Sequence, residues 1–189
     1  MNCDVNYDAN HDIGLKSYGV PNVIRISGIV GESIVDGPGI RYVIFAQGCP
    51  HGCEGCHNET ALDFSGGREY EVQKIIEEIE KKPLIDGVTF SGGEPFCQPA
   101  AFMGIAAKLK EKNINIVTYT GYTYEELSAL AERDGYVKGL LGYTDILVDG
   151  LFVLEKRDLS LQFKGSVNQR YIDMNMTRRR GALSVIEGF

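Results

Sequence analysis

The sequence predicts an α/β fold: a partial, incomplete βα barrel built on a mainly parallel sheet. Three observations predict it. Short apolar runs alternate with stretches whose apolar residues recur at helical spacing, the pattern of strand–helix units with right-handed crossovers. The 189 residues fall short of the roughly 250 that a complete eight-unit barrel needs. Glycine-bearing loops follow the apolar runs, where a parallel sheet gathers its ligands.

Residues 1–22 are mostly polar and read as an N-terminal tail or embellishment that carries Cys3; residues 23–189 read as a single domain. A strand is predicted over Val23–Val30, followed by the turn-rich Asp36-Gly37-Pro38-Gly39. Arg41 leads into Tyr42–Phe45, a buried strand, and the cysteine cluster comes directly after it. Val72, Ile75, Ile76 and Ile79 then mark an amphipathic helix. Val88–Phe90 is a strand running into Ser91-Gly92-Gly93-Glu94-Pro95, and a helix carries Phe102, Ile105, Ala106 and Leu109. A strand over Ile114–Tyr119 ends at Thr120-Gly121, a helix uses Leu127, Leu130 and Ala131, and a strand over Asp145–Val148 ends at Asp149-Gly150. The alternation stops after Leu151, and no element is assigned from there to the end. The cysteine loop, Gly92–Pro95, Thr120-Gly121 and Asp149-Gly150 each follow a strand. In a parallel sheet they converge on one face.

A net charge of −7 argues against nonspecific nucleic-acid binding. Arg178-Arg179-Arg180 is the local exception, read as a solvated patch, with a contact to an acidic partner or phosphate as its alternative. No apolar run approaches the ~18 residues that cross a membrane, and the first residues hold no apolar signal core. The expectation is a cytosolic chain with no membrane and no nucleic-acid partner. In that reducing compartment five cysteines point to metal or redox chemistry rather than a disulfide framework.

Three of them lie in Cys49-Pro50-His51-Gly52-Cys53-Glu54-Gly55-Cys56-His57. Thiolates are soft ligands that suit zinc or iron–sulfur iron, and Gly52 and Gly55 let the backbone curl around a bulky group. A complete 4Fe–4S site uses four cysteines. If neither Cys3 nor Cys97 ligates, one iron is left open for a substrate or cofactor, as a catalytic metal requires. The alternative is a Cys3His zinc site drawing on His51 or His57.

Cys49, Cys53 and Cys56, with Gly92-Gly93-Glu94-Pro95 after a strand, resemble the radical S-adenosylmethionine superfamily. Asp36-Gly37-Pro38-Gly39-Ile40-Arg41 is similar to the glycyl-radical-enzyme activases within it. Thr118–Tyr122, Asp145–Gly150, Asp158-Leu159-Ser160 and Lys164–Arg170 resemble the branch that activates anaerobic ribonucleoside-triphosphate reductase, over about Val23–Ile172. Cys97 is not part of that pattern.

The resemblance implies a radical S-adenosylmethionine-type partial barrel, with a 4Fe–4S cluster and S-adenosylmethionine as cofactors. Cys49, Cys53 and Cys56 would ligate the cluster. Gly92 and Gly93 would offer backbone to the methionine end, and Glu94 would bond near its amino group. Gly55 and His57 would lie along the adenine, while Thr118, Asp149 and Gln169 would contact the cofactor. The reaction it implies yields a 5′-deoxyadenosyl radical that takes a hydrogen atom from a glycine of the reductase, leaving a stored glycyl radical. No general base is needed. The implied partners are the glycyl-radical subunit of the reductase and an electron donor such as flavodoxin or ferredoxin. Two other functions compete: another radical enzyme of this type (a pyruvate formate-lyase activase or a deazapurine-pathway enzyme), and a zinc-binding interaction module.

Overall fold

A computed structural model of the chain describes residues 19–188. The expected tail up to residue 18, with Cys3, lies outside the described residues. Seven strands form one sheet: β1 (Val23–Ser33), β2 (Arg41–Ala46), β3 (Arg68–Glu71), β4 (Gly87–Gly92), β5 (Asn115–Tyr119), β6 (Ile146–Asp149) and β7 (Arg170–Asp173). Their order is β3-β1-β2-β4-β5-β6-β7. The central four, β2, β4, β5 and β6, run parallel. Antiparallel pairings add β1 and β3 on one side and β7 on the other. The sheet is mostly parallel, as predicted, with the antiparallel pairs confined to its flanks.

Helices α1 (Val72–Glu80), α2 (Pro99–Glu111), α3 (Tyr124–Ala131), α4 (Gly135–Tyr143) and α5 (Met174–Arg180) complete the chain. Val72, Ile75, Ile76 and Ile79 are the buried residues of α1, as their spacing predicts. α2 starts on Pro99, which tolerates the first helical position because its missing N–H would have no partner there. Thr123 and Glu126 form a reciprocal capping box at the start of α3, and Asp134 caps α4.

Side chains alternate across the sheet. Ile24, Ile26, Tyr42, Ile44, Val88, Phe90, Ile116, Leu147 and Ile172 face the helices and form the main core. The opposite face carries a smaller cluster of Val117, Val148 and Tyr171, with Tyr119, Ile146, Phe163 and Ile186 packed on it. Phe163 belongs to the segment 150–169, which crosses that face and had no predicted structure.

The N-terminal ends of the parallel strands are stapled by polar groups. Arg41, 1% exposed, donates to the carbonyls of Val88 and Asn115, to Asn115 Oδ1 and to Thr89 Oγ1. Burial pulls its guanidinium down to about 10. Asp86 Oδ2 accepts from the Ile40 N–H at 2.7 Å, and Asp145 accepts from the Ile116 N–H and pairs with Lys110. Arg178 donates to the Leu141 and Thr144 carbonyls at the end of α4. Part of the basic run thus ties α5 to α4, while Arg179 and Arg180 are exposed. Among the described residues, no helix is long and apolar enough to cross a membrane.

Candidate active site

The C-terminal ends of the parallel strands open into a cavity of about 490 Å³. Cys49, Cys53 and Cys56 line it, together with Gly92 and Gly93, Thr120 and Gly121, and Gly150. The four strand-end loops singled out in the sequence therefore do meet.

The cysteine loop closes on itself and on β4. Gly48 N donates to Ala61 O at 2.8 Å, and Cys49 N to Leu62 O at 3.1 Å. Gly93 N then donates to Ala46 O, and Glu94 N to Gly48 O, both at 2.8 Å. Both glycines are required there. A Cβ on Gly92, whose φ is +92°, would lie 2.6 Å from Phe45 Cα, and one on Gly93 would lie 2.5 Å from Gly48 O. The Gly-Gly pair lets β4 press against the root of the cysteine loop.

Other expected residues take mixed positions. His57 lines the cavity and leans on Phe152, ring centroids 5.2 Å apart. Gly55 has φ +69° and packs beside Leu154. Gln169 lines the cavity; its Oε1 accepts from the Gly165 N–H and its Nε2 donates to Gly150 O, so it shapes the loop over the site.

Besides Gly55, three residues expected at the cofactor do not line this cavity. Thr118 is buried on the helix face and shares a 2.9 Å hydrogen bond with Thr144 Oγ1. Asp149, also buried on that face, accepts from the Tyr124 N–H at the start of α3 and from Arg170. It borders a second cavity, of about 390 Å³, behind the cysteine loop. Glu94 is fully buried, and its carboxylate accepts from Phe96 N–H, Thr120 Oγ1–H, Gly121 N–H and His51 Nε2–H at 2.9–3.0 Å. Strand parity explains the first two: Thr118 and Asp149 share the parity of Ile116 and Leu147, which face the helices.

Sequence reasoning missed Tyr119, Asn58, Phe152, Leu161, Phe163 and Lys164, which all line the cavity. Tyr119 was legible, because it shares the parity of Val117. Its burial, with Asp36 nearby, holds its phenol well above the usual range.

The donor set fits an iron–sulfur cluster. Burial pushes the Cys49 thiol up to about 11; the Glu94 and Cys53 charges add to the rise, while the His51 and Gly52 backbone N–H groups oppose it. Burial also raises Cys53, against a backbone N–H of Phe152. Sulfurs in this setting need a bound cation to become thiolates. Zinc would draw its ligand atoms to about 2.0–2.3 Å from one centre. His51, one of the two histidines that such a site could draw on, is committed to Glu94. Cys97 is buried after β4 and is not among the cavity's lining residues.

Comparison with known proteins agrees with this chemistry. A family described as a 4Fe–4S single cluster domain matches residues 35–172. The anaerobic ribonucleoside-triphosphate reductase-activating protein of Vibrio cholerae is 36% identical over 150 residues, covering 72% of this chain and 89% of that one. The protein of the same name from enterobacteria phage T4 is 31% identical, covering 72% and 85%. A pyruvate formate-lyase-activating enzyme from Clostridium pasteurianum is 36% identical over 130 residues, covering 66% of this chain and 50% of that one. Cluster-binding loop, strand-end cavity and relatives agree: the chain belongs to the 4Fe–4S single cluster domain family and, within it, to the anaerobic ribonucleoside-triphosphate reductase-activating proteins.

Proposed function

We propose that this chain is a radical S-adenosylmethionine enzyme that installs the glycyl radical on an anaerobic ribonucleoside-triphosphate reductase. One observation carries the proposal: three cysteine thiols and the Gly-Gly pair of β4 line one cavity at the C-terminal ends of the parallel strands. The relatives named for the same activity support it. The sheet is then the partial barrel of that superfamily.

When bound, the 4Fe–4S cluster supplies one electron to S-adenosylmethionine, whose cleavage to methionine and a 5′-deoxyadenosyl radical is the cofactors' own chemistry. The chain's residues bind, orient and exclude water. Cys49, Cys53 and Cys56 would hold the cluster. Gly92 and Gly93 keep the cavity floor free of side chains, so a polar ligand can reach backbone groups. His57 with Phe152 offers an aromatic wall of adenine size, and Gln169 holds the loop that roofs it. Leu161 and Phe163 shield the interior from water, which would quench a carbon radical. Glu94, Thr118 and Asp149 act from behind, by fixing the loops.

The substrate is a glycine within a protein, and the electron donor is a small redox protein such as a flavodoxin or ferredoxin. Both belong to the cytosol. The test is anaerobic reconstitution with iron and sulfide, reduction, and addition of S-adenosylmethionine and purified reductase. The expected result is 5′-deoxyadenosine by chromatography and a glycyl radical by electron paramagnetic resonance, both lost in Cys49→Ala. A radical on pyruvate formate-lyase, with none on the reductase, would replace this reading with the one its Clostridium relative bears.

A further inference from the structure

The wall of the cavity carries a cation that the rest of the chain does not use. Among the described residues that line the cavity, Lys164 is the one lysine or arginine. It is half-buried, and no carboxylate of the described residues pairs with it. Asp36, the acidic side chain on the same wall, takes its hydrogen bond from Ser33 Oγ at 2.5 Å. Other half-buried cations of the molecule are paired: Lys110 with Asp145, and Arg170 with Asp149 and Glu125.

The turn that bears Lys164 is strained and rigid. Phe163, just before it, has φ +59°, a left-handed conformation that a bulky side chain keeps only where its surroundings impose it. Here they do: Phe163 packs on Val117, Val148 and Tyr171, its ring 6.2 Å from that of Tyr171. Just after Lys164, the Gly165 and Ser166 N–H groups both donate to Gln169 Oε1, at 2.8 and 3.2 Å, and Gln169 Nε2 donates to Gly150 O at the end of β6 at 3.0 Å. Ser166 is wholly buried, and its Oγ accepts from the Val153 N–H at 3.2 Å. A Cβ on Gly165 would lie 2.9 Å from Phe152 Cδ2. The residues on either side of Lys164 are therefore fixed, while its ammonium is left unpaired at the cavity.

Charge decides what that ammonium can receive. S-adenosylmethionine carries a sulfonium, an ammonium, a neutral adenosine and a single anion, the carboxylate of its methionine end. Enclosing a carboxylate beside three sulfurs and Asp36 is unfavourable unless a cation meets it. A lysine brings three donors on a flexible stem, and no acceptor. We propose that Lys164 is a specificity-determining residue for the cofactor: its ammonium binds the carboxylate of S-adenosylmethionine. The inference rests on the cofactor reading above and deepens it. It also gives the strained turn at Phe163 a task, that of holding one charge at the cavity.

The experiment measures binding rather than turnover. Wild type, Lys164→Met and Lys164→Arg, each full length, are loaded with the cluster anaerobically and kept oxidised so that nothing is cleaved. Equilibrium dialysis then titrates each with S-adenosylmethionine and with its decarboxylated analogue, which keeps the amine, the sulfonium and the adenosine. Iron per chain and a thermal melt check that each variant is loaded and folded; should Lys164→Met fail either check, Lys164→Gln, also uncharged, replaces it. Lys164→Met is expected to bind S-adenosylmethionine about tenfold more weakly than the wild type, the loss that goes with one hydrogen bond to a charged group. The decarboxylated analogue should bind Lys164→Met no more weakly than it binds the wild type, and Lys164→Arg should keep most of the affinity for S-adenosylmethionine. If the analogue binds the wild type too weakly to titrate, 5′-methylthioadenosine, an adenosyl ligand without a carboxylate, takes its place. Unchanged affinity for S-adenosylmethionine in Lys164→Met overturns the inference; a raised KM for the reductase in that variant would then assign the lysine to an acidic group of the partner. Equal weakening of both ligands overturns it too, since the lysine would then only shape the cavity. A loaded wild-type chain that binds no S-adenosylmethionine overturns the proposed function itself, and this inference with it.

Discussion

Arg170 grips Asp149 through two side-by-side hydrogen bonds, Nε to Oδ1 at 2.9 Å and Nη2 to Oδ2 at 2.5 Å. Its Nη1 and Nη2 reach on to the two carboxylate oxygens of Glu125 at 3.0 and 2.7 Å. One guanidinium therefore joins β7, β6 and α3, and the hydrogen bonds it donates to Asp149 and Glu125 hold its pKa above the ordinary arginine value. Lysine carries the charge but not the fork. Arg170→Lys is expected to lower stability by about 2 kcal/mol, because the Asp149 carboxylate, 1% exposed, loses part of its pairing. Urea denaturation checks it, and a loss no larger than that of an exposed surface pair, under about 0.5 kcal/mol, would contradict it.

Gly93→Ala and Gly52→Ala should separate packing from backbone strain. The first places a Cβ 2.5 Å from Gly48 O, at the root of the cysteine loop; the second, at φ +58°, meets nothing within 4 Å. Gly93→Ala is expected to lose most bound iron after anaerobic reconstitution. Gly52→Ala should keep its iron and forfeit only the roughly 1–2 kcal/mol of a left-handed non-glycine residue. Iron analysis alongside a thermal melt reads both.

Arg41 has neutral hydrogen-bond acceptors around it, two of them backbone carbonyls of β4 and β5. Arg41→Met would leave those acceptors buried without donors. The expected loss is about 3 kcal/mol, or roughly 6–12 °C in thermal midpoint. A melt unchanged within 2 °C (an error-sized shift) would show that the staple contributes little.

The cysteines stand outside both apolar clusters of the sheet. Cys53→Ala is accordingly expected to abolish cluster binding while keeping the far-ultraviolet dichroism of the wild type and a melting midpoint within a few degrees of the metal-free chain. Unfolding of the metal-free wild type would contradict this, since it would mean that metal binding supplies folding energy, as it does in zinc fingers.

Much of this was legible in the sequence for identifiable reasons. Tyr42–Phe45 and Val88–Phe90 announce buried strands, because a parallel strand covered on both faces needs apolar residues without alternation. The spacing of Val72, Ile75, Ile76 and Ile79 fixed α1. Four other elements were silent, one of them α5, which lies in the stretch after Leu151 where the alternation stops. The strand Arg68–Glu71 is Arg-Glu-Tyr-Glu, a charged edge segment whose partners lie far away in sequence. α4 holds three glycines, which weaken its local helix signal. β7 is four residues long and reads as the continuation of a loop. The site was legible as a set of loops but not as a set of side-chain directions. Glu94 drew attention as a loop carboxylate, and only three-dimensional packing shows the Phe96, Thr120, Gly121 and His51 donors around it.

The polar staples at the N-terminal ends of the strands and the loops at the C-terminal ends give the molecule two poles that should fail differently. Damage around Arg41, Asp86 or Asp145 would surface as lost protein: low yield, early melting, proteolysis. Damage around Gly93, His51 or Phe152 would leave an abundant, well-folded chain that does no chemistry. A library screened first for expression and then for radical formation would sort its variants by pole, and lineages of this chain have room to change loops without renegotiating the fold beneath them.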